Sequence, residues 1–532
     1  MTNRVLKLAF CLTVVLFAVF HFAENTADPD LWGHVLFGQQ ILHQHSVHKF
    51  EPFSWTAAGQ PWINHEVLSE IALGTAHLIL GGAGLLWLKL LVGMVTFGIA
   101  LSLGGRGLEW PWRVLSWCVA LVAVVEISFG FAARPQIFTA LGLACELWIL
   151  IRIHEGRVQW ALALPALFVV WINTHGGVVA GFCVLALAAA GTTAEVVWDR
   201  VRHAVRSPAV SGTVLLGLWL GTCVSVYALW LNPWGGDLLR WLVSSVLWPR
   251  PEIEEWNPVR LGWDHGPMFI LMAISVLAFI TTKRRRAFWE IAVLAFLGFA
   301  ALRYVRNTPL FAVAVLALVP PYLVDVARRG GALMKGTTAL VLQPSLRWFA
   351  VGAFLVLSGL MLRAAMTLHK DNGLTMEVPK QLYPLAAVRF IQDHGLSGNL
   401  LVFFDWGELC LWELPDCPPS IDGRLDTCYS RDVISANWNL YNGEAVDPRV
   451  LPLSDADIAL LPRNLAGVKM LVEDLGWQAA YADPLAVVLV RQPGRFPRLS
   501  GTSLPLIRGS EAVEGREPFP DRPSLRIRHG GL

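Results

Sequence analysis

The feature that most constrains this chain is a succession of twelve apolar stretches before residue 370. Backbone amides inside a bilayer must be satisfied within their own segment, so stretches of this kind specify membrane helices. Composition supports the same reading. Hydrophobic residues make up 55% of the 532-residue chain and charged residues only 15%, too few to cover a soluble protein of this size. The 24 tryptophans suit membrane-water interfaces, where an amphipathic ring sits at headgroup level. A net charge of +2 gives a nucleic-acid partner no electrostatic support.

Arg4 and Lys7 precede an apolar run over residues 8–22, and no small-residue cleavage site follows it. The expectation is a retained first span, with the N-terminus in the cytoplasm. The stretch 68–80 has thirteen residues and contains Glu70 and His77. A span needs about 20 residues, so this stretch reads as interfacial or re-entrant. The remaining stretches then make eleven spans, which place most basic loops (106–113, 152–157, 200–206, 283–286 and 328–347) in the cytoplasm, as the positive-inside rule requires. The same count puts the chemically unusual stretches outside: 28–66, Arg134, 173–175, 232–265 and 303–307.

The expected organisation is a membrane domain over 1–366, with an outer loop at 24–82. A soluble extracytoplasmic α/β domain follows over 383–491, and a flexible tail over 496–532. In the α/β domain, helix-like 384–393 and 468–475 alternate with strand-like 400–404, 458–461 and 486–490. Cys410, Cys417 and Cys428 fall there, leaving room for one disulfide and one spare thiol.

The first outer loop carries the strongest chemical signal: Asp28-Pro29-Asp30-Leu31-Trp32-Gly33-His34, Pro52-Phe53-Ser54-Trp55-Thr56, and Pro61-Trp62-Ile63-Asn64-His65-Glu66. A carboxylate at the membrane surface could act as a general base on an acceptor hydroxyl, or help to hold a divalent cation. Its bland counterpart is an acidic turn fixed by Pro29; the surrounding motifs favour function. His65-Glu66 lacks the second histidine of a zinc protease. His34, His43, His45 and His48 form a loose cluster that could bind metal; most of them read rather as interfacial histidines, since no second ligand set has metal-site spacing, and no metal site is assigned. Arg134, Arg303 and Arg306 are outer basic residues that can clamp a phosphate, or else snorkel at helix ends. Asn173 and His175 interrupt an apolar run before two glycines. The loop around 248–256 is long, aromatic and acidic, and reads equally as a lid or an interfacial segment. Asp405-Trp406-Gly407-Glu408 and Ile421-Asp422-Gly423-Arg424 follow strand-like residues, where turn chemistry is the plainer reading.

In order and spacing these motifs resemble a bacterial family within or near the GT-C superfamily of multispanning glycosyltransferases. That family's pattern runs D-x-D-x-W-W-H, D-P-F-S-x-T and P-W-x-x-H-E-W-L-S-E. Here Gly33 replaces the second Trp, Glu51 replaces Asp and Val67 replaces Trp. Arg134-Pro135-Gln136, Asn173-x-His175-Gly176, Asn232-Pro233 and Ile421-Asp422-Gly423-Arg424 are similar to elements of the same family. The resemblance implies a GT-C-like bundle in the bacterial cytoplasmic membrane. The activity it implies is inverting transfer of a hexosyl or pentosyl group from a polyprenyl-phosphate-linked donor to an extracytoplasmic glycan, lipid or protein acceptor. It makes Asp28 or Asp30 the base. Arg134, Arg303 and Arg306 become candidates for the lipid phosphate, and His34, His65, Glu66, Asn173 and His175 further substrate contacts. No cofactor is demanded, although a divalent cation could assist. The rival expectation is a non-catalytic scaffold or export-machinery subunit whose C-terminal domain binds a partner; a transporter ranks last, for want of internal repeats.

Overall fold

A computed structural model of the chain describes residues 2–110, 112–201, 211–248, 250, 253–262, 264–333, 344–369, 372–499 and 505–521. It divides into two compact units, Met1–Glu24 with Trp87–Lys370 and Asn25–Leu86 with Asp371–Leu532.

The first unit is helical. Thr2–Phe22 packs against Pro344–Leu368, and Phe288–Arg303 packs against Val178–Val201. Thr308–Leu318 is an apolar helix buried from Leu310 to Leu318, and it packs against Arg113–Ser128 and Gln136–His154. An all-apolar circumference of this kind belongs to a helix enclosed by other helices. Among the described residues, five helices are long and apolar enough to cross a membrane, or six if the bent pair Val305–Leu318 and Pro320–Gly330 counts as one. Others, such as Gly212–Ala228 and Gly266–Thr281, are apolar but shorter than the roughly 20 residues of a straight span. The expected eleven spans therefore exceed what helix length alone supports, because apolar stretches in sequence do not all become long helices.

The helix Val67–Gly104 is interrupted at Leu80 and Gly81, where Gly81 takes φ 57° and ψ −146°. Only glycine adopts that backbone without strain. The break sets off the amphipathic stretch 67–79, which groups with the second unit, as its short length suggests.

The second unit joins the first outer loop to the C-terminal domain. Strands β1 (Glu377–Pro379), β2 (Leu400–Val402), β3 (Ile458–Pro462), β4 (Gln478–Ala482), β5 (Ala486–Val490), β6 (Leu506–Ile507) and β7 (Arg516–Pro518) form two sheets. The larger has the order β2-β3-β5-β4-β6, with β2 parallel to β3, β4 parallel to β6, and β5 antiparallel to both its neighbours. Strand β5 reads Ala-Val-Val-Leu-Val and is buried throughout, as a central strand covered on both faces must be. Helix Leu385–Asp393 packs on this sheet, and Leu440 and Tyr441 of helix Arg431–Asn442 join its core.

The outer loop is stitched to this domain by main-chain bonds: Ala27 N–H donates to Glu377 O and Glu377 N–H to Asn25 O, each at 2.7 Å. Ile63 N–H donates to Thr427 O at 2.9 Å, and Thr56 Oγ1 to Ser420 O at 2.6 Å. Expectations for the last segment need correction. Residues 500–504 and 522–532 of the expected flexible tail lie outside the described residues, but 505–521 pack. There β6 pairs with β4, β7 with β1, and Phe519 is buried against Trp32, His77 and Trp412. The polar composition of this stretch hides an apolar anchor. Cys410, Cys417 and Cys428 are three buried free thiols, with no disulfide among them.

Candidate functional site

Asp28 and Asp30 open the helix Leu31–Gln44. Asp28 Oδ1 accepts the Asp30 N–H at 3.1 Å and the Asp28 carbonyl accepts the Leu31 N–H at 3.0 Å, so Asp28 shapes the turn that Pro29 fixes. Asp30 is the N-cap residue, a position where the helix dipole favours a negative charge.

The surroundings of Asp30 come from the C-terminal domain. Glu408 is buried, and its Oε2 accepts the Gly33 N–H at 3.0 Å. A Cβ at Gly33 would collide with the Glu408 carboxyl, and one at Gly423 would collide with Asp30 Oδ1 and come 2.9 Å from Glu408 Oε1. Two glycines thus make room for two carboxyl groups. Burial first, and then the charges of Asp30 and Asp422, push the Glu408 carboxyl well above the usual carboxylate range. Where the family pattern has a second Trp, this chain has Gly33 and fills the space with Glu408.

Beside them sits a buried ion network. Arg424 Nε donates to Asp422 Oδ1 at 2.8 Å and Nη2 donates to Asp422 Oδ2 at 2.6 Å. The same guanidinium bonds both oxygens of Glu51, through Nη1 to Oε2 and through Nη2 to Oε1 at 3.0 Å. Tyr429 OH donates to Asp422 Oδ2 at 2.7 Å, and the rings of Phe37, Phe53 and Trp62 lie 4.8–5.3 Å from the guanidinium carbon. A bidentate fork within an aromatic cage requires arginine and not lysine. Glu51, a departure from the family's Asp, keeps the carboxylate that this network needs.

His34 lies one turn after Asp30, with its ring toward Glu66 and Glu70. These three residues form the group, among the described residues, whose side chains could hold a metal ion, their ligand atoms all within 4.8 Å of one another. Burial raises the Glu70 carboxyl to about 8, against the opposing bond from Asn64. His65 Nε2 lies 3.5 Å from Glu66 Oε1. His43 and His45 are exposed, and His48 stacks on Trp62.

The first unit holds the remaining predicted residues in two places. Arg134 and Arg306 meet on the Glu255 carboxylate, at 3.9 and 3.6 Å. Arg250 and Arg306 both lie over the Trp256 ring, at 4.4 and 4.5 Å, and Arg303 lies over Tyr304 at 4.6 Å. Burial pushes the Glu255 carboxyl up, but Arg306 and Arg134 outweigh it and leave it below its usual range. The loop is pinned by Val305 N–H to Asn257 O at 3.1 Å and Val259 N–H to Leu302 O at 3.2 Å. Asn173 and His175 lie in another network. Asn173 Nδ2 donates to Val169 O and Leu231 O at 2.8 Å, ordering a helix end. His175 Nδ1 accepts the Gly177 N–H at 3.0 Å and the Thr139 hydroxyl at 2.8 Å, so these two groups have structural partners.

Turn chemistry is the plainer sequence reading of Glu408, Asp422 and Arg424, and no motif assigns a role to Glu70 or Glu255. The signal available was the recurrence of acidic residues beside glycine at strand ends.

No family model matches the chain, and no curated protein matches it in sequence. Among solved structures it is similar to ArnT from Cupriavidus metallidurans bound to undecaprenyl phosphate, with a TM-score of 0.50 and 13% identity over 93% of this chain and 99% of that one. It is likewise similar to the same protein in the apo state, with a TM-score of 0.51 at the same identity and coverage. Identity this low establishes fold and no more. The chain has a fold similar to that of ArnT, built of apolar helices with a small C-terminal sheet.

Proposed function

We propose that this protein is a membrane glycosyltransferase that moves a sugar from a polyprenyl-phosphate-linked donor to an acceptor on the extracytoplasmic side of the bacterial cytoplasmic membrane. The observation that carries this reading is a likeness over 93% of the chain to a protein bound to undecaprenyl phosphate. A polyprenyl phosphate is what remains when a sugar leaves such a donor.

In the proposed reaction one carboxylate of the Asp28/Asp30 pair takes the proton of the acceptor nucleophile. A bond forms between that nucleophile and the anomeric carbon, on the face opposite the leaving group. The carbon–oxygen bond to the lipid phosphate breaks, and its electron pair stays on the phosphate. Such a reaction inverts the anomeric configuration and needs one base. Arg134 and Arg306, already gathered on one carboxylate, are suited to stabilise the departing phosphate, with Arg303 on the same segment.

The test supplies membranes bearing the protein with radiolabelled polyprenyl-phosphate hexoses and pentoses. Wild type is expected to move label off the lipid, and Asp28→Asn or Asp30→Asn to cut that rate by about 100-fold or more. The Asn side chain at 28 can still accept the Asp30 N–H, so the turn survives. Full activity in both variants removes the base assignment. Inactivity of the wild type towards every lipid donor, with a stably co-purifying protein, favours the scaffold.

A further inference from the structure

We infer that His34, Glu66 and Glu70 form a binding site for a divalent transition-metal cation, carried by the outer loop and distinct from the aspartate pair. His34 Nδ1 lies 3.9 Å from Glu66 Oε2 and 3.8 Å from Glu70 Oε1. Those separations are too long for hydrogen bonds, which close at about 2.7–3.2 Å. They match ligands that share one ion, since atoms at about 2.0–2.2 Å from a common metal stand about 3–4 Å apart. His34 is buried, and its Nδ1 makes no hydrogen bond although it points between two carboxylates. A buried polar atom is ordinarily satisfied, so this geometry asks for a further partner.

The scaffold holds the three groups in place. A Cβ at Gly38 would meet the Glu70 carbonyl, and a Cβ at Gly74 would come 2.8 Å from Gln39 N. The helix Leu31–Gln44 and the stretch beginning at Val67 therefore cross with their backbones in contact. His34 is one turn before Gly38 and Glu70 one turn before Gly74, which sets the two side chains face to face. Glu66 and Glu70 are four residues apart, joined by the Glu70 N–H to Glu66 O bond of 2.9 Å, and so share a face. Asn64 steadies both: its Nδ2 donates to Glu70 Oε2 at 2.6 Å and its Oδ1 accepts the Glu66 N–H at 3.0 Å. Outer-sphere bonds of this kind orient metal ligands.

The donor set selects the cation class. One imidazole suits Zn2+ or Fe2+ and carboxylates suit Mn2+, so the site takes a borderline divalent ion and leaves positions open for water or a substrate oxygen. Two carboxylates and a neutral imidazole balance its charge. The His34 N–H donates to Asp30 O at 3.1 Å, so an ion here would be one helical turn from the aspartates.

The experiment uses full-length protein purified without a polyhistidine tag, stripped with chelator and dialysed against Zn2+ or Mn2+. Metal content and thermal unfolding are measured without any sugar donor, so the outcome is independent of the proposed transfer. Wild type is expected to retain about one ion per chain and to gain thermal stability. His34→Ala and Glu70→Gln are expected to lose both effects. Glu66→Gln, at a partly exposed position where folding is least disturbed, should weaken retention at least tenfold. A triple variant of His43, His45 and His48 should bind as wild type does. Overturning results are a wild type that retains no ion, or His34→Ala and Glu66→Gln proteins that retain as much as wild type.

Discussion

At the scale of single residues, the second unit depends on charges that have left water. Arg424, Glu51 and Asp422 are buried together, so removing the cation strands two carboxylates. Arg424→Ala is expected to destabilise this unit by about 3–5 kcal/mol, read from its chemical denaturation. Arg424→Lys, which keeps the charge but loses the fork, should recover only part. Glu408 gives a pH dependence with a defined sign. Its folded-state proton affinity is raised by burial first and then by Asp30 and Asp422, with Arg424 and the Gly33 N–H opposing. Above the ordinary value of 4.5 the unfolded chain gives up this proton while the folded one keeps it. Stability is therefore full below that value and is lost as pH rises towards the folded value. Wild type should lose stability more steeply than Glu408→Gln as pH rises above the ordinary carboxylate range. Identical slopes would show that Glu408 ionises freely. Individual residues were legible from sequence only where their own loop announced them. Asp28, Asp30 and His34 sit in one motif, whereas Glu408 and Arg424 reach the same place from more than 370 residues away. Spacing cannot report such an approach, and an Asp-Gly-Arg turn looks the same whether or not its arginine is buried.

Among the elements, the break at Leu80–Gly81 and the crossing at Gly38 and Gly74 decide how the outer loop is presented. A thirteen-residue apolar stretch followed by a break was the readable sign of a separate helical piece, short for a span at about 1.5 Å of rise per residue. Its polar face, carrying Glu70 and His77, was the second sign, and both side chains are buried within the second unit: His77 Nε2 donates to Pro520 O at 2.9 Å. Gly81→Ala forces a side chain into a φ of 57° and should cost about 1–3 kcal/mol, measured as a lower unfolding temperature. Gly38→Leu should cost more, because the helices cannot separate without moving His34 from Glu70. Strands β2, β3 and β5 were visible as short apolar runs. Strands β6 and β7 were not, since two- and three-residue strands in a polar segment carry no periodicity.

For the whole molecule, apolar content and motif order made a bundle of apolar helices with a C-terminal α/β part readable, and the likeness to the ArnT structures bears out that fold. Span number was less readable, because hydropathy marks apolar stretches without saying how long a helix each will form. The central functional claim is dependence on a lipid-phosphate donor. Its most direct measurement places the purified protein in liposomes with one radiolabelled sugar, presented either on a polyprenyl phosphate or on a nucleotide, and counts label moved and polyprenyl phosphate released. The expected result is one polyprenyl phosphate freed for each sugar transferred, with no transfer from the nucleotide. Transfer from the nucleotide sugar without lipid, or none from any lipid-linked hexose or pentose, would contradict it.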